Sequence, residues 1–287
     1  MSGDTGKIDL NAIWQRALDL MQSNLRLLAI VAGVFLLLPS LVMYLAIPEL
    51  ADMGAMMEPD RNADPEKLLA QLGDLYASIA PGAILASIFS FVGYSALVAL
   101  LGDKGITVGE AIVRGAKSLP TLVGVMILFG FACVAAAFAI FLPVVLLATL
   151  SETVGALLSI VAVFVILGMM LFLIARFSVT MPIIILEKNL NPFTAMVRSW
   201  RLTGQFTWAI FGFWTLLILV YMVISVLIGG LVGVIAALAS GSTAAFIMGL
   251  FNGLIGAIVG IAISGIAVAL FERLVGDTPE SIDATFG

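Results

Sequence analysis

Residues Ile185–Gly204 read ILEKNLNPFTAMVRSWRLTG and hold four charges, Glu187, Lys188, Arg198 and Arg201. On the C-terminal side lie seventy residues, Leu202–Phe271, without a charge. On the N-terminal side Arg176 alone interrupts the uncharged sequence back to Thr153. Such an island is either a site or the place where the chain surfaces from a membrane, and composition decides for the second. The chain is 62% hydrophobic and 11% charged, with a mean hydropathy of +1.20. Soluble domains average roughly 45–50% apolar and about 25% charged residues, so too little polar surface is left to cover a water-soluble core of this length. The one cysteine, Cys133, lies in an apolar run and behaves as a small hydrophobe.

A membrane-crossing helix needs about 20 mostly apolar residues. Working outward from the island, uncharged runs of that length occur at Leu27–Pro48, Leu75–Gly102, Ser118–Ser151 and Thr153–Ala175. The seventy-residue run is too long for one helix. Its break is Ala239-Ser240-Gly241-Ser242-Thr243, which has turn chemistry and leaves two spans, roughly Trp208–Leu238 and Ala245–Phe271. Six helices result, and the fold class is an all-α polytopic membrane protein. A barrel is excluded, because its strands alternate apolar and polar residues. The first run is longer than a signal-peptide core and lacks an evident cleavage site, so it reads as a span that stays.

The whole of 1–287 reads as a single six-span domain, with an outer loop at 49–74 and a tail at 274–287. Six spans put eleven Lys and Arg on the side of both termini and only Arg61 and Lys67 on the other. The positive-inside rule therefore predicts cytoplasmic termini. Acidic residues gather in the outer loop: Glu49, Asp52, Glu58, Asp60, Asp64, Glu66 and Asp74. Asp64-Pro65-Glu66 has the signature of a helix start, and Leu68, Leu69, Leu72, Leu75, Tyr76 and Ile79 would share one face.

Three segments share a layout. Asp9, Thr107 and Asn191 are N-cap residues, each seven positions before an arginine: Arg16, Arg114 and Arg198. Thr107-Val108-Gly109-Glu110 adds a capping box, and Asn191-Pro192 places proline at the first helical position. Residues of the apolar face recur at helical spacing in each: Leu10, Ile13, Trp14, Ala17, Leu18 and Met21; Val108, Ala111, Ile112, Gly115 and Leu119; Phe193, Met196, Val197 and Trp200. Two spans come after each segment. The pattern predicts three repeats of an interfacial amphipathic helix plus a transmembrane hairpin, the arginine reaching lipid phosphate or water.

The residues from Ala175 onward, ARFSVTMPIIILEKNLNPFTAMVRSWRLTGQ, resemble the membrane domain of the glycerophosphoryl diester phosphodiesterase family and related six-span bacterial inner-membrane proteins. The family pattern is an Arg near the end of the fourth span, a Pro, an acidic residue, a turn and an A-x-x-R-S-W-x-L-T helix. Here these are Arg176, Pro182, Glu187, the turn Asn189–Pro192, then Ala195, Arg198, Ser199, Trp200, Leu202 and Thr203. Asn191 stands where Gly is commoner. The resemblance implies a six-span inner-membrane protein. In complete enzymes of that name it also implies a separate hydrolytic barrel with a histidine pair and a divalent metal. This chain has no histidine, so the activity does not transfer, and neither metal nor cofactor is expected.

Arg176, Glu187 and Arg198, placed around Pro182, are expected to form a buried or interfacial ion network that braces the structure or, as the alternative, handles a ligand, with Ser199 and Trp200 in the adjoining interfacial helix. Gly249, Gly253, Gly256 and Gly260 give small-xxx-small steps in the last span that suit close packing, within the chain or in a homodimer. Met53-Gly54-Ala55-Met56-Met57 reads as adaptable apolar surface rather than a copper site. No nucleic-acid patch is visible, and membrane lipids are the expected partners. Three functions compete: a non-catalytic scaffold or membrane-homeostasis factor, which the sequence favours; a transporter or lipid-handling permease, with Ser87, Ser90 and Asn252 as sparse polar spots; and an intramembrane enzyme, which lacks both histidine and paired carboxylates in the spans.

Overall fold

The structure is a computed structural model that describes residues 8–47, 50, 65–149, 151–239 and 241–276. The expectations for Met53–Met57 and for most of the acidic loop fall outside these residues. Among the described residues there is no strand. The helices are α1 (Leu10–Ala32), continued by a π-helical turn at Gly33–Leu37 into α2 (Leu38–Ala46); α3 (Pro65–Gly102); α4 (Val108–Ala148); α5 (Glu152–Phe177); α6 (Thr180–Leu186); α7 (Pro192–Leu202); α8 (Thr207–Ala237) and α9 (Ser242–Gly276). Among the described residues six stretches are long and apolar enough to cross a bilayer. The protein is all-α and polytopic.

Side-chain exposure explains why this chain needs lipid as solvent. Phe131, Phe138, Phe164, Val226 and Leu238 are all more than two-thirds exposed. Almost nothing in the most apolar stretches of the third, fourth and fifth spans is buried by the chain itself, whereas about half of the second and sixth is. In water such surface would be aggregation-prone; in hydrocarbon it carries no penalty, and helices satisfy their own backbone groups.

The three N-caps form as the sequence predicts. Asp9 Oδ1 accepts from the Asn11 and Ala12 N–H groups, each at 3.0 Å. Thr107 and Glu110 make the reciprocal box, Glu110 Oε2 accepting from Thr107 N–H at 2.9 Å and Thr107 Oγ1 from Glu110 N–H at 3.3 Å. Asn191 Oδ1 accepts from the Phe193 and Thr194 N–H groups at 3.0 and 3.2 Å.

The three copies diverge after their amphipathic segments. In the first copy the helix runs on into the span, with a kink at Asn24, whose backbone leaves helical angles (φ −128°, ψ 15°). In the second, α4 continues through Pro120. Only in the third is the segment a separate helix, α7, ended by a 3-10 turn at Gly204–Phe206. A lost backbone hydrogen bond kinks a helix without obliging it to stop.

The fourth span also extends beyond its expected end at Ala175. α5 stops at Phe177, and the chain re-enters a helix, α6, up to Leu186. Pro182 explains the break: its ring clashes with the carbonyl four residues back, at Ser178, which is where α5 is capped. Its missing N–H lies in the first turn of α6, where no intrahelical partner is lost.

Close contacts divide the chain into two compact units, neither continuous in sequence: Met1–Ala17 with Ser118–Val220 and Ile266–Gly287, and Leu18–Lys117 with Tyr221–Gly265. In the second unit α9 packs on the first span through glycine. A Cβ on Gly253 would lie 2.9 Å from the Leu37 carbonyl oxygen, one on Gly249 3.2 Å from Leu41 Cα, and one on Gly260 2.5 Å from Leu36 Cδ1. Gly256 has open space. Three of the four glycines therefore accommodate the chain's own helices. Gly115 does the same against α3, with the Val92 carbonyl 2.8 Å from its hypothetical Cβ.

Buried runs lie at one end of the even-numbered spans. They are Leu97–Leu101 in α3, Ile183–Ile185 in α6 and Ile266–Leu270 in α9, against the mixed exposure of the rest of those spans. Each run ends two residues before an acid–base dipeptide: Asp103-Lys104, Glu187-Lys188 and Glu272-Arg273.

Candidate functional site

The residues of the island converge on the end of α5, but not as the expected three-member ion network. Glu187 and Arg198 do pair, bidentately, with Arg198 Nη2 and Nε each 2.6 Å from a carboxylate oxygen. Arg176 is not part of this pair and has no carboxylate partner among the described residues. It is only 8% exposed. Its Nη1 donates to Thr207 Oγ1 at 2.8 Å, its Cζ lies 3.8 Å from the centroid of the Trp200 ring, and its Nε has no hydrogen-bond partner. A single planar guanidinium can stack on an aromatic face while donating from its edge, which an ammonium cannot do as well.

Arg176, Ser199, Trp200 and Thr203 form a clamp between α5 and α7. α5 ends with carbonyls that lack an intrahelical donor, and the Arg176 carbonyl accepts from Ser199 Oγ at 2.9 Å and, at 3.2 Å, shares the Thr203 hydroxyl proton with the Ser199 carbonyl, which lies 2.9 Å from it. Ser199 and Thr203 are one helical turn apart, so both hydroxyls face the same acceptor. Trp200, between them, covers the side chain of the same arginine. Phe172 and Phe177 pack on Trp200, with centroids at 6.0 and 5.6 Å. Ala195, one turn before Ser199, is fully buried and lets α7 lie close.

The turn before α7 is fixed separately. Thr121 Oγ1 donates to the Leu190 carbonyl at 2.8 Å, and a Cβ on Gly124 would lie 3.0 Å from Pro192 Cγ. Asn189 Oδ1 accepts from Thr194 Oγ1 at 2.9 Å. Lys188 adopts a left-handed backbone (φ 57°) at the end of α6, a position that favours glycine.

Setting the three copies side by side shows a pairing rule. Arg114 binds Asp103 at 2.9 Å, just as Arg198 binds Glu187; in both the acid precedes the arginine by eleven residues and closes the preceding span. Arg16 lies in the first of the three segments. Its partner is Glu272, 256 residues away, at the end of the last span, with Nε at 2.8 Å and Nη2 at 3.2 Å. The rule is cyclic in sequence: each arginine takes the acid that ends the preceding hairpin, and the first copy takes that of the third. Positions next to the arginines match too. Ala17, Gly115 and Ser199 are all small and buried. Gly115 meets the carbonyl of Val92 and Ser199 that of Arg176, residues in the same register relative to their acids.

The sequence reading used the caps and arginines but left out Asp103, Glu272, Thr203 as a ligand of Arg176, and Thr207. Recurrence of the acid–base dipeptide was the available signal for the two acids. Nothing local pointed to Thr207. Among the described residues no three His, Cys, Asp or Glu side chains gather to hold a metal.

No family model, no curated protein and no solved structure matches this chain.

Proposed function

We propose that this is a non-catalytic multi-pass protein of the bacterial inner membrane, with both termini cytoplasmic, acting as a scaffold or membrane-homeostasis factor. The reading places it with the membrane domains of the glycerophosphoryl diester phosphodiesterase family, whose signature it resembles. The observation that supports it is the use to which the signature is put. Arg176, Ser199, Trp200 and Thr203 hold one another, and Glu187 neutralises Arg198. The residues most suggestive of chemistry brace a span end against an amphipathic helix.

Two experiments test the proposal. Detergent-extracted full-length protein, purified from its native host, is subjected to unbiased identification of attached lipids and proteins. Reproducible protein partners are the expected result. A stoichiometric small-molecule cargo together with its saturable uptake into vesicles would replace the scaffold reading with the transporter one. For orientation, Cys133 is changed to serine and single cysteines are placed at Ser2 and Thr285. An impermeant thiol reagent applied to intact spheroplasts should label neither; labelling of one terminus alone is incompatible with six crossings.

A further inference from the structure

The exposed side of α7 carries a groove of about 380 Å³ with two kinds of wall. Phe193, Val197 and Leu202 are apolar; Thr194, Arg198 and Arg201 are polar. The charges here are unequal in their commitments. Arg198 is neutralised by Glu187. Arg201, which lines the groove, and Lys188, next in sequence to the lining residue Asn189, are exposed and have no carboxylate partner among the described residues. Beside these cations Phe193 is 65% exposed, and Trp208, a few residues on, is 76% exposed. Uncompensated positive charge next to uncovered aromatic surface, where an apolar span begins, is the chemistry of the headgroup layer.

We infer that this groove binds the headgroup of an anionic phospholipid, the phosphate on Arg201 and Lys188 and the start of one acyl chain over Phe193, Val197 and Leu202. A free inorganic anion would use the cations alone and leave the apolar wall without a role. The other repeats provide an internal comparison. In the second, Lys104 and Lys117 occupy the positions of Lys188 and Arg201, but Gly109 replaces Phe193. In the first, Asp19 replaces Arg201. The cations recur once; of the apolar wall only Val197 recurs there, as Val113. The inference rests on the chain's crossing the membrane and is independent of whether it is a scaffold or a transporter.

Native mass spectrometry of the full chain, released from detergent with dioleoyl phosphatidylglycerol or dioleoyl phosphatidylcholine, tests it. The wild type should retain phosphatidylglycerol preferentially. Arg201→Gln should lower that preference roughly fivefold, the factor of about one surface charge on an anionic lipid. Phe193→Ala should lower retention of both lipids alike. Lys188→Gly relieves the left-handed backbone, so the preference should fall while the melting temperature holds or rises, which separates binding from folding. Lys117→Gln removes the same charge where Phe193 and Leu202 are replaced by Gly109 and Ser118, and should change little. An equal loss with Lys117→Gln would mean that general surface charge is at work and would overturn the site. So would displacement of the lipid by millimolar inorganic phosphate with Phe193→Ala silent, which would make the ligand a free anion.

Discussion

Arg176 offers the sharpest test of the clamp, because a buried cation without a counter-ion behaves differently from a salt bridge. Consider Thr207→Val, which keeps the shape of the side chain and removes Oγ1. With Arg176 in place, Nη1 loses its 2.8 Å acceptor in a site where the residue is 8% exposed and Nε is already unpartnered. A hydrogen bond to a charged group contributes about 1.5–3 kcal/mol, and the charge left behind cannot turn to water. Thr207 Oγ1 also shares its one proton between the Thr203 and Gly204 carbonyls, both at 3.0 Å, an interaction worth about 1 kcal/mol in net terms.

Arg176→Met removes the charge and with it the stacking on Trp200, worth about 2 kcal/mol when desolvated. It also removes a desolvation penalty of several kcal/mol. We expect Arg176→Met to be near neutral and Thr207→Val alone to destabilise by about 2–3 kcal/mol. In the Arg176→Met background Thr207→Val should cost only about 1 kcal/mol. The coupling of about 1–2 kcal/mol is read by a double-mutant cycle on reversible unfolding in mixed micelles. Costs that simply add, within about 0.5 kcal/mol, would show that the guanidinium does not depend on Thr207 and would refute the side-chain half of the clamp.

The remaining contacts set expectations of their own. Gly253→Ala should destabilise by about 1–3 kcal/mol, because the backbone of Leu37 cannot yield, whereas Gly256→Ala, with open space, should be neutral or stabilise by up to about 1 kcal/mol; thermal melts of the two variants decide it. Arg16→Glu and Glu272→Arg should each lower stability by about 0.5–1 kcal/mol and the double exchange should restore it, since both partners are partly exposed; an exchange that fails to rescue would argue against the cyclic pairing. Thr107→Ala should cost about 1 kcal/mol through loss of the capping box, measurable as increased amide exchange in the first turn of α4.

Six crossings, the break near Gly241 and the three N-caps were legible in the sequence because each is a local matter. A bilayer demands about 20 apolar residues whatever they later touch, and an Asp, Thr or Asn side chain caps donors two or three residues away. Pairing is not local. Glu187 is eleven residues from both Arg176 and Arg198, and the sequence drew all three into one network. The break forced by Pro182 turned the chain so that the acid met Arg198, while Arg176 was left to an indole and a hydroxyl. In the same way Arg16 and Glu272 stand at opposite ends of the chain, and only the packing of the terminal segments could join them. Hydrophobicity sets which segments enter lipid, since solvent acts on each residue separately. Which charge answers which depends on where helix ends arrive, and that is fixed by the whole chain at once.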